Sequence, residues 1–156
     1  MASNYFIHGN AVTVAERPGG SNIGSPGDLE NIHGIAWTDV VGLRQGWGTS
    51  FRGKGGKFIW FHIPFPTPMV VNNVPSDMSR LEVLFDIEGN AVVDSIHLWG
   101  NVNNRWFARD NLGLTSSWRQ DFQAGSILRG VLSISVGVNF RESANITFRG
   151  AGLALR

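Results

Sequence analysis

The sequence predicts an all-β protein, an antiparallel β-sandwich of jelly-roll type, with an up-and-down β-barrel as the alternative. The main observation is a side-chain period of two, since Leu81, Val83, Phe85 and Ile87 share one face and acidic residues occupy much of the other. Successive side chains of a strand point to opposite faces, so this alternation is typical of a half-buried strand. The same period continues through residues 128–140, and no segment shows a comparable helical stripe. The 20 Gly and the charged fraction of only 16% also suit a turn-rich β fold.

Five strands are predicted in the N-terminal half, and they cover residues 6–16, 34–41, 47–52, 57–63 and 69–73. Gly9 is expected to interrupt the first of them. Residues 17–28 predict a loop, because Gly frees the backbone, Pro fixes it, and little apolar surface offsets the entropy of ordering. The short Gly-rich turn before Lys57 predicts a β-hairpin. The prolines of residues 64–68 lack N–H donors, so this segment is expected to leave the ladder and cross to the other sheet.

Five further strands are predicted in the C-terminal half, and they cover residues 81–88, 91–99, 105–109, 126–140 and 145–155. Gly89 and Asn90 tolerate positive φ, so the turn between the first two strands predicts a tight β-hairpin. Residues 112–123 are ambiguous, because Trp118 and Phe122 have helical spacing while their neighbours do not support a helix. About eight to ten strands at this spacing, with no internal repeat, favour the jelly-roll sandwich over the barrel.

A single domain covering residues 1–156 is predicted, because this length suffices to bury one core. The chain has no Cys, which excludes disulfides, thiolate metal sites and cysteine nucleophiles. The net charge of +1 gives no electrostatic reason to expect nucleic acid as a partner, and no apolar run approaches the ~20 residues that membrane insertion requires. The N-terminus lacks the features of a secretory leader, so we expect cytoplasmic synthesis, with leaderless release left open.

Two of the predicted strands suggest a patch of indole and imidazole rings. Trp60 and His62 share one face of their strand, and His97 and Trp99 share one face of theirs. If both strands lie in one sheet, these four side chains form a patch suited to a sugar, whose C–H face stacks on an indole while polar neighbours order its hydroxyls. The alternative is that they are core and cross-strand packing pairs. Of the two tryptophans, Trp60 is expected in the core and Trp99 at the surface.

The loop that follows this strand adds amide side chains, since Asn101, Asn103 and Asn104 lie between Trp99 and Trp106. An Asn amide has two donors and an acceptor at one tip, which match vicinal hydroxyls, although Asn also simply permits tight turns. The predicted ligand-binding residues are therefore Trp60, His62, His97, Trp99, Asn101, Asn103, Asn104 and Trp106.

Little in the sequence indicates catalysis or a bound cofactor. The four histidines occur singly, without the spacing of a metal site, and neither a G-x-S-x-G element nor a phosphate-binding loop is present. Asp94 stands out because the predicted strand places it on a face with Ile96 and Leu98, where a carboxylate needs a partner such as Arg105 or Arg109. We therefore predict no metal, no cofactor and no catalytic residue.

The predicted function is that of a non-catalytic, lectin-like module that binds carbohydrate or another small polar ligand. A first alternative is a self-assembling subunit of an oligomer, filament or shell, because the charge is low and residues 58–65 are strongly apolar; a homo-oligomer is expected in either case. A second alternative is a small enzyme or carrier with an apolar cavity between the sheets. Such a cavity would be lined by Phe58, Trp60, Phe61, Phe85 and Trp99.

Overall fold

The computed structural model describes residues 3–14, 29–30, 43–65, 70–71, 74–75, 77–100, 105–123 and 132–155. These ranges contain a 3₁₀ turn over Gly9–Ala11 and the strands that follow. The strands are β1 (Ser3–His8), β2 (Thr13–Val14), β3 (Leu29–Glu30), β4 (Leu43–Gln45), β5 (Gly48–Gly53), β6 (Lys57–Phe65), β7 (Val70–Val71), β8 (Val74–Pro75), β9 (Met78–Glu88), β10 (Ala91–Trp99), β11 (Arg105–Arg109), β12 (Ser116–Asp121), β13 (Leu132–Phe140) and β14 (Ala144–Leu155).

The long strands form two antiparallel sheets. The described part of the seven-stranded sheet has the order β12-β9-β14-β5-β3, with β1 also paired to β14 and β4 also paired to β5. The five-stranded sheet has the order β11-β10-β13-β6-β2, and β7 and β8 form a small separate ladder. The predicted antiparallel β-sandwich is confirmed, because the strands divide between two sheets instead of closing one barrel.

The hydrophobic core lies between the two sheets and takes one face of each long strand. As the sequence predicts, Leu81, Val83 and Phe85 of β9 are buried. Phe61 of the five-stranded sheet packs against Phe148 of the seven-stranded sheet, with their ring centroids 5.1 Å apart. Burying a side chain of this size stabilises the fold by about 1.5–3 kcal/mol, so the contacts between the two inner faces hold the sheets together.

The two predicted hairpins are sheet-crossing turns in the structure. The expected short turns connect β5 to β6 and β9 to β10, but the two strands of each pair belong to different sheets. Both turns bond to the chain at the end of β13: the N–H of Gly56 donates to the carbonyl of Phe140 (2.7 Å), and those of Arg141 and Glu142 donate to the carbonyl of Asn90 (3.0 and 3.1 Å). The hairpin prediction was wrong because a strand with one buried face shows the same alternation in a hairpin and across a sandwich.

Several other predicted elements are settled by the described ranges. The break at Gly9 is confirmed, since a 3₁₀ turn begins there, and residues 112–123 contain the strand β12. Pro64 lies within β6, so the expectation that it leaves the ladder was wrong. The predicted loop at 17–28 and strand at 34–41 lie outside the described residues. No helix in the described ranges is both long and apolar enough to cross a membrane.

A β-bulge at Asp94 resets the alternation of β10. Val93 and Ile96 are both fully buried although three positions apart, and the ladder register shifts between them. Asp94 is the residue of this bulge without a partner in the β10–β13 ladder, and it is half-buried. Its carbonyl accepts a hydrogen bond from the N–H of Leu112 (3.0 Å), and within the described residues its carboxylate forms no ion pair with the predicted arginines. After the bulge, successive side chains of β10 again alternate between the outer face of the sheet and the core.

Candidate functional site

The outer face of the five-stranded sheet carries a cluster of rings from two strands. β6 directs Phe58, Trp60 and His62 outward, since the residues that alternate with them are buried in the core. β10 directs His97 and Trp99 outward, because after the bulge they alternate with Ile96 and Leu98, which are buried in the core. We call these five residues the aromatic face.

The strand between them, β13, allows the two sets of rings to meet. Ser135 of β13 is in register with His62 on one side and His97 on the other. Ser135 and the neighbouring outward residue Gly137 are small, and the Phe58 ring lies over Gly137. The Trp60 ring extends across β13 to the His97 ring, with their centroids 4.9 Å apart. The structure thus brings together the four rings that the sequence assigned to one patch.

Burial separates the aromatic face from the core. Trp60 and Trp99 are both half-buried, whereas Ile59 and Phe61, the neighbours of Trp60 in β6, are fully buried. The expectation that Trp60 is a core residue was therefore wrong. His97 is only 7% exposed, because the rings of both tryptophans lie beside it. The two indoles keep part of their surface available to a ligand, while the imidazole between them is covered.

Asp110 fixes the orientation of the His97 ring. Its carboxylate lies 2.8 Å from Nε2 of His97, and its side chain is 53% exposed. A hydrogen bond from His97, and to a smaller extent one from Ser95, lowers the pKa of the Asp110 carboxyl below its usual value. An ionised carboxylate only accepts, so Nε2 of His97 carries the proton and donates it. The ring that lies between the two tryptophans is thereby held in one tautomer.

Ser95, His97 and Asp110 are not arranged as a hydrolytic triad. In a triad the histidine lies between the serine and the carboxylate and removes the serine proton. Here the carboxylate accepts from both of the other residues. Because its pKa is lowered, this carboxylate is a weak base and does not activate the serine as a nucleophile. The trio is suited to hold side chains in place.

His62 forms the polar part of the face on β6. Its Nδ1 lies 2.8 Å from Oγ of Ser135, and its own carbonyl accepts a hydrogen bond from Oγ1 of Thr13 (3.4 Å). Burial lowers the pKa of the His62 imidazole, because the charged form loses more hydration than the neutral one. His62 therefore presents a neutral ring to a ligand at neutral pH.

Of the remaining predicted ligand-binding residues, Trp106 alone lies within the described ranges. Trp106 is half-buried, packs against the core and lies over the backbone of Gly100. Asn101, Asn103 and Asn104 lie outside the described residues. Their part in binding stays a prediction.

Two residues beside the aromatic face could not be identified from the strand patterns. Asp110 follows β11 and reaches His97 only because β10 and β11 are neighbours, with His97 in register with Ala108. Arg105 lies over Trp99, with its Cζ 6.0 Å from the ring centroid. A predicted hairpin between β10 and β11, with its register, would have placed both side chains beside the patch.

The cavity predicted between the sheets is not assembled from its proposed lining. Phe61 and Phe85 are buried in the core, while Phe58, Trp60 and Trp99 lie on the outer face of the five-stranded sheet. The five side chains therefore belong to opposite sides of the sheet, and that prediction was wrong. No group of three or more His, Asp and Glu side chains that could hold a metal ion is found in the described ranges.

No protein-family profile and no curated protein sequence matches this chain, but several solved structures match it in fold. One is a new low-affinity xylan-binding module, CBM86, from the xylanolytic gut symbiont Roseburia intestinalis, with a TM-score of 0.52 and 8% identity over 99% of this chain and 96% of that chain. A second is the xylan-binding module CBM15, with a TM-score of 0.48 and 8% identity over 81% of this chain and 94% of that one. A third is TmCBM61 in complex with β-1,4-galactotriose, with a TM-score of 0.42 and 13% identity over 96% and 86% of the two chains. At 8% identity the first likeness is one of fold, and it agrees with a sandwich of jelly-roll type.

Proposed function

We propose that this chain is a non-catalytic carbohydrate-binding module with the aromatic face as its binding surface. The observation that carries the proposal is the pair of half-buried tryptophans, Trp60 and Trp99, whose rings both lie beside His97 on one sheet face. The C–H face of a sugar ring is apolar and packs on an indole, which gives contact area at little cost in conformational entropy. Two such rings on one face suit a ligand with more than one sugar unit.

Polar groups at the edge of this face supply the hydrogen bonds that a sugar requires. Arg105 is exposed and lies over Trp99, so its guanidinium can donate to a hydroxyl of a stacked ring. The Asp110 carboxylate is half-exposed beside His97 and can accept from another hydroxyl. Their opposite charges favour a neutral ligand with hydroxyl groups over an anion or a cation.

The fold likeness to a xylan-binding module supports this proposal and suggests the first ligand class for testing. That protein binds xylan with low affinity, and its fold covers nearly all of this chain. We propose chains of neutral pyranose units, with xylan oligosaccharides as the first probe. A partly covered surface without deep enclosure fits weak binding, since little of such a ligand is removed from water.

The test is a tryptophan-fluorescence and calorimetric titration of the whole chain against soluble xylan, galactan, glucan and mannan oligosaccharides. Trp60→Ala and Trp99→Ala are expected to weaken binding roughly tenfold or more, which corresponds to about 1.4 kcal/mol. Trp47→Ala is the matched control, because Trp47 is also exposed (49%) but belongs to the turn before β5 in the other sheet. It is expected to bind like the wild type. No heat and no change in emission with any of these ligands would overturn the proposal.

A further inference from the structure

We propose that the outer face of the opposite, seven-stranded sheet carries a second ligand site, a groove that binds a single sugar ring. The groove has a volume of about 200 Å³. It is lined by Asn4, Tyr5, Phe6, Arg80, Glu82, Gly152, Leu153 and Ala154. The assignment of a sugar as ligand rests on the proposed function, whereas the groove itself belongs to a different sheet and shares no residue with the aromatic face.

The register of three strands creates this groove. Gly152 of β14 is in register with Phe6 of β1 and with Glu82 of β9. Two residues further along β14, and on the same face, Ala154 is in register with Asn4 of β1 and with Arg80 of β9. The central strand thus carries very small side chains where both neighbours carry long ones, so β14 forms the floor and the flanking strands form the walls.

Phe6 gives one wall an apolar platform. Its ring is 55% exposed, although Phe is normally buried, and it leans over Gly150 of β14. Its neighbours Tyr5 and Ile7 point the other way and pack against the core, so the strand is anchored without the Phe6 ring. An exposed aromatic ring beside polar groups offers the same stacking surface for a sugar C–H face as an indole does.

The opposite wall supplies hydrogen-bonding groups whose charges compensate one another. The Arg80 guanidinium donates to Asp121 (2.8 Å), and this contact lowers the pKa of the Asp121 carboxyl, so the arginine has an ionised partner. Within the described residues the Glu82 carboxylate has no hydrogen-bond partner, and it lies against Gly152 at the groove floor. Because Arg119 also donates to Asp121 (3.4 Å), the two arginines balance Asp121 and Glu82, and the wall has no net charge that would favour an anion or a cation. Arg80 and Glu82 both line the groove. A neutral ligand rich in hydroxyls can use both, with the Asn4 amide as a further donor and acceptor.

The size of the groove limits the ligand. Clefts that enclose drug-sized ligands measure about 300–1,000 Å³, so a volume of 200 Å³ suits one ring and not a chain of them. Because the two sites lie on opposite faces of the sandwich, both can be occupied at once. One molecule could then hold two sugar chains, or one chain at two points, with an avidity above that of either site.

The test is a ¹H–¹⁵N NMR titration of the whole chain with xylotetraose, and in parallel with the monosaccharides xylose, galactose, glucose and mannose. The amides of Gly152 and Ala154 report the groove, and those of Ser135 and Gly137 report the aromatic face. We expect both pairs of signals to move with the oligosaccharide, and the groove pair also with at least one monosaccharide.

Two variants probe the groove in different ways. Phe6→Ala removes the platform and is expected to abolish the shifts at the groove while leaving those at the aromatic face unchanged. Gly152→Ala fills the floor and moves the Glu82 carboxylate, and the φ of Gly152 is not in the positive range. The three atoms nearest to the added methyl all belong to the flexible Glu82 side chain, so the variant is expected to fold and to lose the same shifts. Trp99→Ala is the reciprocal control, expected to lose the shifts at Ser135 and Gly137 alone.

The outcomes separate this inference from the proposed function. Shifts confined to Ser135 and Gly137 would overturn the groove site and leave the aromatic face as the binding surface. Shifts confined to Gly152 and Ala154 would support the groove and overturn the aromatic face. If neither pair of signals moves with any sugar, both proposals are overturned. If the shifts at the groove persist unchanged in Phe6→Ala and Gly152→Ala, the groove site alone is overturned.

Discussion

The rings of Trp60 and His97 are in contact, with 4.9 Å between their centroids, although β6 and β10 are separated by β13. The small outward residues of β13, Ser135 and Gly137, allow rings of β6 to lie across this strand, with Phe58 over Gly137 and Trp60 against His97. Trp99 lies on the other side of His97, 6.1 Å away between centroids. The aromatic face is therefore a continuous surface built from two strands that do not pair, and its parts are expected to respond together to mutation.

The stability of tryptophan variants distinguishes a surface role from a core role. Trp99→Ala is expected to lower the free energy of unfolding by about 1 kcal/mol, because the side chain is only half-buried. Phe61→Ala, on the core side of the same sheet, is expected to cost about 3–5 kcal/mol through lost burial and a cavity. Chemical denaturation curves at one temperature measure both. Equal losses in the two variants would contradict the assignment of Trp99 to the outer face.

The hydrogen bond from His97 to Asp110 is expected to position the imidazole. Asp110→Ala leaves Nε2 of a nearly buried ring without its acceptor, which typically costs about 1–3 kcal/mol. The same change is expected to weaken sugar binding, because the His97 ring that packs against Trp60 and Trp99 is no longer held in one orientation. A double-mutant cycle with His97→Phe measures the coupling, and additive effects in that cycle would contradict a positioning role.

The pH dependence of stability is expected to report His62. Burial lowers the pKa of its imidazole in the folded chain, so the unfolded chain binds the proton first as the pH falls below about 6.5. The free energy of unfolding should therefore decrease with falling pH in this window and level off below the folded pKa. His62→Asn should show a shallower decrease between about pH 7 and 5. Parallel curves for the two proteins, measured by denaturation at several pH values, would contradict this account.

Association of the chain stays a prediction of the sequence, with its near-zero net charge as the physical reason. Light scattering coupled to size-exclusion chromatography is expected to show a mass above that of one chain. Dilution of the sample is expected to shift the distribution toward the monomer by mass action. A wild-type mass of one chain at every concentration would contradict the prediction.

The sequence predicted the strands and their buried faces well, because a period of two is a local property. It could not predict which strands pair: the turn at Gly89 and Asn90 fits a hairpin, yet it crosses between the sheets. The partner of each strand is chosen by long-range packing, which leaves no local signature. For the same reason, the sequence placed His97 and Trp99 on one face but did not find Asp110, which a neighbouring strand brings to the ring.

The position of β14 has a consequence for synthesis on the ribosome. This last described strand lies inside the seven-stranded sheet, where it pairs with β9, β5 and β1, and its residue Leu155 is in register with Ser3. Until β14 has left the exit tunnel, β1 lacks the partner that it has among the described strands, and β9 lacks one of its two described neighbours. A nascent chain that has not yet reached β14 therefore carries unpaired strand edges, a state in which chaperone binding protects against aggregation.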